Sequence, residues 1–206
     1  MISNQLSDYI DQVESNFDSI PEGRKNILSQ IIDYITKHQS RETINLNFIC
    51  THNSRRSIIS QIWAQVAAYY YGVDKIVTWS GGTEATAFNP RAVKAIRSTG
   101  VSIKQTSDSE NPRYQVEFAR EIEPLVVFSK KYNDPFNPQS EFCAVMTCDS
   151  ADEACPVVFG SDARVALTYK DPKEFDGTEK EAQMYAKRTF EIATEIFWMF
   201  SQIAEK

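Results

Sequence analysis

Residues 50 to 57 read Cys-Thr-His-Asn-Ser-Arg-Arg-Ser, a thiol followed six positions later by an arginine and then a serine. A cysteine is a useful nucleophile only as thiolate, and a free thiol ionises near about 8.5. At the end of a strand, facing the start of the next helix, Cys50 would meet unpaired N–H groups and the positive end of the helix dipole. Both favour the ionised sulfur. Arg56, at the helix start, can reach back over the loop and clamp two oxygens of a phosphate-like ion. Ser57 can hydrogen-bond the sulfur, and Thr51, His52, Asn53, Ser54 and Arg55 complete an oxyanion-binding loop with one further positive charge. The chemistry these residue types suit is attack by sulfur on a tetrahedral oxyanion. The competing reading is a structural cysteine at a strand end, since unpaired cysteines are among the most buried residues.

The elements that must hold this loop are legible on both sides of it. INLNFIC (44–50) alternates into an apolar run and reads as a strand, and IISQIWAQVAAYYYG (58–72) as a helix ending at Gly72. KIVTWSGG (75–82) is a second strand with a glycine turn, and NPRAVKAIRSTG (89–100) a helix bracketed by Pro90 and Gly100. This alternation predicts a parallel sheet with right-handed crossovers. Further on, PLVVFS closes 113–129 as an apolar strand with an edge strand ahead of it, and 130–139 is a turn-rich loop. A buried strand at 141–148, an acidic loop DSADEAC at 149–155, a last strand at 163–169 and a closing amphipathic helix follow. Residues 3–37 carry two helices, interrupted at SIPEGR with Pro21 opening the second, which cover a face or form a dimer contact.

A length of 206 residues fits one domain, with 1–40 as a helical extension of 44–206. No apolar run approaches the ~20 residues of a membrane helix. The polar, acidic N-terminus has no secretory pattern, so the expected location is cytoplasmic. A net charge of −6 speaks against nucleic-acid or membrane-surface partners, though a loop of backbone N–H groups can still bind a small anion. Four cysteines, at 50, 143, 148 and 155, are too few for a secreted disulfide scaffold. Cys143 lies mid-strand and is assigned to packing. No Cys-x2-Cys pair exists and His38 and His52 lack ligand spacing, so no zinc site is expected. Asp171, ahead of Pro172 on a loop, has the plain reading of a turn aspartate.

ICTHNSRRS (49–57) resembles the Cys-x5-Arg-Ser signature of the low-molecular-weight protein tyrosine phosphatase superfamily. SGGTEATAFNPRAVKAIRSTGVSIKQTSD (80–108) is similar to the family's next blocks. TCDSADEACPV (147–157) and KDP (170–172) resemble its thioredoxin-coupled arsenate reductase branch. The resemblance spans about 44–108 and 143–205, leaving out the first forty residues and an insertion around 110–140. It implies an α/β, flavodoxin-like three-layer fold with a four-stranded parallel sheet in the order 2-1-3-4.

The same resemblance implies a relay of three thiols. Cys50 would attack arsenate, Cys148 would attack the resulting adduct, and Cys155 would take over the disulfide and present it to thioredoxin. Asp171 would protonate the leaving oxygen. Some relatives hold potassium beside the loop. The matching positions are Asn53, Ser80 and Asp108, with Gln61 where the family has glutamate, which removes a full charge from a hard-cation site. His52 stands where the loop usually has glycine, a position that can call for a left-handed backbone. Lys173, Glu174 and Phe175 replace the tyrosines that wall a phosphotyrosine ring, with Phe136 or Tyr169 as substitutes for that wall. Two enzymatic readings remain open: arsenate reductase, and a phosphomonoesterase working through a phosphocysteine, with phosphate or sulfate as competing anions. A non-catalytic oxyanion-binding protein is a third.

Overall fold

In a computed structural model, residues 1–154 and 157–204 are described. Cys155 and Pro156 lie outside them.

The chain opens with helices α1 (Asn4–Glu14) and α2 (Glu22–Lys37), joined through a 3₁₀ turn at Phe17–Ser19. Pro21 sits one position before α2 rather than as its first helical residue. The alternation then expected follows: β1 (Ile44–Cys50), α3 (Arg56–Tyr70), β2 (Ile76–Gly82) and α4 (Pro90–Arg97). β3 (Ser102–Gln105), β4 (Tyr114–Glu117) and β5 (Leu125–Val127) come next. The chain finishes with β6 (Phe142–Met146), α5 (Asp149–Ala154), β7 (Ser161–Ala166) and α6 (Glu181–Ala204). No helix among the described residues is long and apolar enough to cross a membrane.

β2, β1, β6 and β7 form one parallel sheet in that order, the 2-1-3-4 arrangement. β1 is central and buried along nearly its whole length, as a strand covered on both faces must be. One face packs on α3 and α2, and these together with α1 and α4 surround α6. The other carries a smaller cluster of Ile49, Phe142, Ala144 and Met146 against Ala151, Val158 and Tyr132. The N-terminal helices therefore cover a face of this chain. Tyr9 of α1 stacks on Trp63 of α3 at 5.3 Å between ring centroids, and Arg24 of α2 reaches both carboxylate oxygens of Glu195 in α6 at 2.7 and 2.5 Å.

In an open parallel sheet of this order, the sense in which successive strands are added reverses between β1 and its neighbour β6. The crevice beyond the carboxyl ends of those two strands is where such folds place ligands. Cys50 is the last residue of β1 and Cys148 lies two residues past the end of β6. The two ends are tied by Thr147, whose N–H and hydroxyl both donate to the carbonyl of Ile49, at 2.7 and 2.9 Å.

Two segments differ from the sequence reading. DSADEA is a helix rather than an acidic loop. It lacks apolar periodicity, but Asp149 and Asp152 suit a first turn, the N–H of Ala151 donates to Cys148 Sγ at 3.4 Å, and Arg164 grips Asp152. The insertion builds an antiparallel sheet, β3-β4-β5, whose first strand precedes the predicted insertion and was not expected.

Candidate active site

The loop between β1 and α3 is held by its carbonyls. Cys50 O accepts from Thr83 N at 3.1 Å, and Thr51 O from Glu84 N at 2.8 Å and Thr83 Oγ1 at 3.1 Å. His52 O accepts from the hydroxyls of Ser129 and Thr86 at 2.9 and 3.2 Å, and Ser54 O from Asn89 N at 2.9 Å. Pinning the carbonyls outward turns the N–H groups inward, and those of residues 52 to 55 meet no acceptor among the described residues. Such a nest of unpaired N–H groups at a helix start is an anion site.

The turn requires one residue with a positive φ, and it is Asn53, at 45°, rather than His52. Asparagine tolerates this region better than most residues. Its amide is oriented unambiguously, because Oδ1 accepts from the N–H of Lys130 at 2.9 Å. Nδ2 therefore faces Ser57 Oγ, at 2.8 Å. With its oxygen already accepting, the Ser57 hydroxyl has its proton free for Cys50 Sγ, 3.1 Å away. A donor chain thus runs from Asn53 through Ser57 to the sulfur.

Cys50, His52, Ser54, Arg55, Arg56 and Asp171 line a narrow concavity. Arg56 donates to Tyr169 O at 2.9 Å and to Asp171 at 2.8 Å, while its buried Nε has no acceptor among the described residues. Arg55 also grips Asp171, through Nε at 2.9 Å. Burial acts to raise the Asp171 carboxyl, but the guanidiniums of Arg56 and Arg55, with the Lys173 N–H, outweigh it and hold it below the usual carboxylate range. His52 projects to the rim, 3.6 Å from Glu84. Cys148 is buried, and its Sγ lies 3.4 Å from the hydroxyl of Thr51, the residue after Cys50.

No family model matches the chain. An arsenate reductase of Bacillus subtilis is 30% identical over 142 residues, covering 68% of this chain and 83% of that protein. Another from Bacillus cereus is 42% identical over 126 residues, 61% of this chain and 74% of that one. The chain belongs to the arsenate reductase family. Its fold is shared with a low-molecular-weight phosphotyrosine phosphatase from Vibrio cholerae, at TM-score 0.51 and 12% identity over 79% of this chain and 97% of that one. It is shared equally with a mutant of YwlE from Bacillus subtilis, at TM-score 0.50 and 14% identity over 80% and 100% of the two chains. This arsenate reductase family member is thus an enzyme of the reductase or low-molecular-weight phosphatase kind.

For this family member, most of the candidate residues converge, and a few do not. Cys50, Arg56, Ser57, Asp171 and the loop residues Thr51 to Arg55 surround one concavity or brace its wall, and Cys148 adjoins it. Cys155 lies outside the described residues. Cys143 is buried mid-strand, and burial together with nearby Asp162 pushes its thiol up to about 12, as a packing residue should behave. Of the potassium positions, Asn53 Oδ1 accepts from Lys130 N–H, Asp108 is exposed, and Ser80 is buried with an unpartnered hydroxyl. Neither Phe136 nor Tyr169 walls the concavity: Phe136 packs on Trp79 and Phe128, and Tyr169 is buried beneath Arg24.

Sequence reasoning missed the loop's outer brace. Ser129 and Lys130, from the segment after β5, hold His52 and Asn53, so the insertion supports the family's anion loop. It also read Gly82 as a turn residue, whereas the glycine is required by close approach. A Cβ there would overlap Glu84 O and lie 2.6 Å from Thr51 O and 2.8 Å from Asn53 N, all backbone atoms. Gly82→Ala is therefore expected to cost about 1–3 kcal/mol of stability and to weaken sulfate binding at least tenfold. Urea unfolding and titration calorimetry check this, and wild-type sulfate affinity in the variant would contradict it.

Proposed function

We propose that this chain is a thioredoxin-coupled arsenate reductase. The Cys50 thiolate attacks arsenic(V) of an arsenate held by the loop N–H groups and Arg56. A hydroxyl leaves as water, with Asp171 as the proton donor. The Cys148 thiolate then attacks the sulfur of Cys50. The pair of electrons in the S–As bond passes to arsenic, which leaves as arsenite, and a Cys50–Cys148 disulfide forms. Cys155 attacks Cys148, freeing the Cys50 thiolate, and a thioredoxin dithiol reduces the Cys148–Cys155 disulfide.

The observation that supports this most is the second thiol. Cys148 stands beside Thr51, where the ends of β1 and β6 are tied together. In a phosphatase a thiol there takes no part in turnover, since water takes the phosphoryl group, and its only use is redox protection of Cys50. The concavity is also short of what an aryl phosphate needs, because no aromatic side chain among the described residues lines it.

The deciding assay supplies arsenate, thioredoxin, thioredoxin reductase and NADPH, and in parallel p-nitrophenyl phosphate without reductant. Arsenate-dependent NADPH oxidation far above the enzyme-free rate is expected, with slow phosphoester hydrolysis. Brisk hydrolysis with no arsenate-dependent oxidation would make the phosphatase reading the correct one.

A further inference from the structure

The Asp171 carboxylate receives more positive charge than a proton donor can use. Arg55 donates to Oδ1 at 2.9 Å and to Oδ2 at 3.4 Å, Arg56 donates to Oδ2 at 2.8 Å, and the Lys173 N–H to Oδ1 at 3.1 Å. Both guanidiniums are largely shielded from solvent, and with Asp171 they line the concavity that contains Cys50. A bound oxyanion and the Asp171 carboxylate are therefore two negative groups competing for the same two cations in a small space. Arg55 is on the first residue before α3, so a modest rotation of its side chain moves its fork between the carboxylate and the bowl.

We propose that Arg55 is a shared cation, a positioning residue that latches Asp171 while the bowl is empty and turns to the oxyanion when one enters. The latch explains how one carboxylate can be held ionised in the empty enzyme and still serve as proton donor in the complex. Anion binding removes guanidinium contacts from Asp171 and places a like charge beside it, and both changes favour its protonated form. No bond is made or broken in this step. Tyr185 of α6, whose hydroxyl donates to Asp176, also faces the pair, and the outer side of Asp171 shares a hollow with Asp149, Glu174, Lys170, Lys187, Arg24 and Arg188, the last two paired with Glu195 and Glu191. Among the described side chains, only Arg55 and Arg56 donate to the carboxylate itself. The use of Asp171 as proton donor rests on the function proposed above, but the latch itself does not, because it is a statement about anion binding.

Coupling between two binding events is reciprocal, so whatever the anion takes from Asp171, Asp171 withholds from the anion. Removing the carboxylate charge while keeping its shape should therefore tighten anion binding. Sulfate serves as the probe, measured by titration calorimetry on the full chain. Asp171→Asn is expected to bind sulfate roughly fivefold or more tightly than wild type. Arg55→Met should bind it several-fold more weakly, and in the Arg55→Met background Asp171→Asn should lose most of its gain. A purely structural role for Asp171 gives the opposite sign, a loop that binds sulfate worse when the carboxylate is lost. Folded Asp171→Asn protein, shown by its thermal melt, with sulfate affinity at or below wild type overturns the latch. If that variant does not fold, Arg55→Met decides alone: an unchanged sulfate affinity overturns the proposal and a several-fold loss supports it. Failure of the arsenate reductase reading would show separately, as absent arsenate turnover in the wild type.

Discussion

Cys50→Ser is expected to abolish arsenate reduction and any phosphoester hydrolysis together, by about 10⁴-fold or more, the scale on which removing an enzyme's nucleophile acts. The reason lies in what surrounds the sulfur. The sulfur is met by donors: the Ser57 hydroxyl, itself oriented by Asn53, lies 3.1 Å away, and the loop's N–H groups are unpaired among the described residues. A serine hydroxyl in the same place needs a base to take its proton, and its nearest polar neighbour is the donor Ser57. His52 is directed to Glu84 at the rim. The same substitution leaves the loop, Arg55 and Arg56 untouched, so sulfate should bind within a few-fold of wild type. Turnover assays with both substrates and a sulfate titration test the two halves. Residual turnover above one part in a hundred would place the nucleophile elsewhere.

How far the site could be read in advance follows from how local its parts are. The Cys50 loop is one contiguous segment between a strand and a helix with clear periodicity, so its position and its anion chemistry followed from eight residues. The four-stranded sheet was legible for the same reason, since its central strands β1 and β6 are largely apolar runs flanked by a polar loop or a helix. What escaped depends on contacts between distant segments. α5 has no apolar stripe, and its first turn is organised by the sulfur of Cys148 and the guanidinium of Arg164. β3 is four residues long, too short for alternation to stand out, and exists because β4 pairs with it. The grip of Arg55 and Arg56 on Asp171 joins residues more than a hundred positions apart. Even within the loop the backbone chose differently from the expectation at His52. The left-handed residue is Asn53, whose amide is held at both ends by groups from α3 and the insertion.

Cys148→Ser separates reduction from anion binding and from the first attack. Cys148 is almost fully buried and accepts the N–H of Ala151, the role a serine hydroxyl plays well at a helix start. The exchange also nearly conserves volume, so stability should change by less than about 1.5 kcal/mol. Chemistry is affected in a different way. Once arsenic is bonded to Cys50, only a thiolate can attack the sulfur and leave the electron pair on arsenic, and serine cannot. Steady-state arsenate turnover is therefore expected to fall to the enzyme-free rate, while sulfate binding and slow p-nitrophenyl phosphate hydrolysis continue. Cys155→Ser should behave differently again: one equivalent of arsenite per enzyme in a single burst, then arrest with a Cys50–Cys148 disulfide detectable by mass spectrometry. The burst is the sharper sign, because a chain in which water receives the group from Cys50 cannot stop after one turnover. Sustained arsenate reduction by both variants would remove the relay and leave Cys148 as a packing residue that happens to adjoin Thr51.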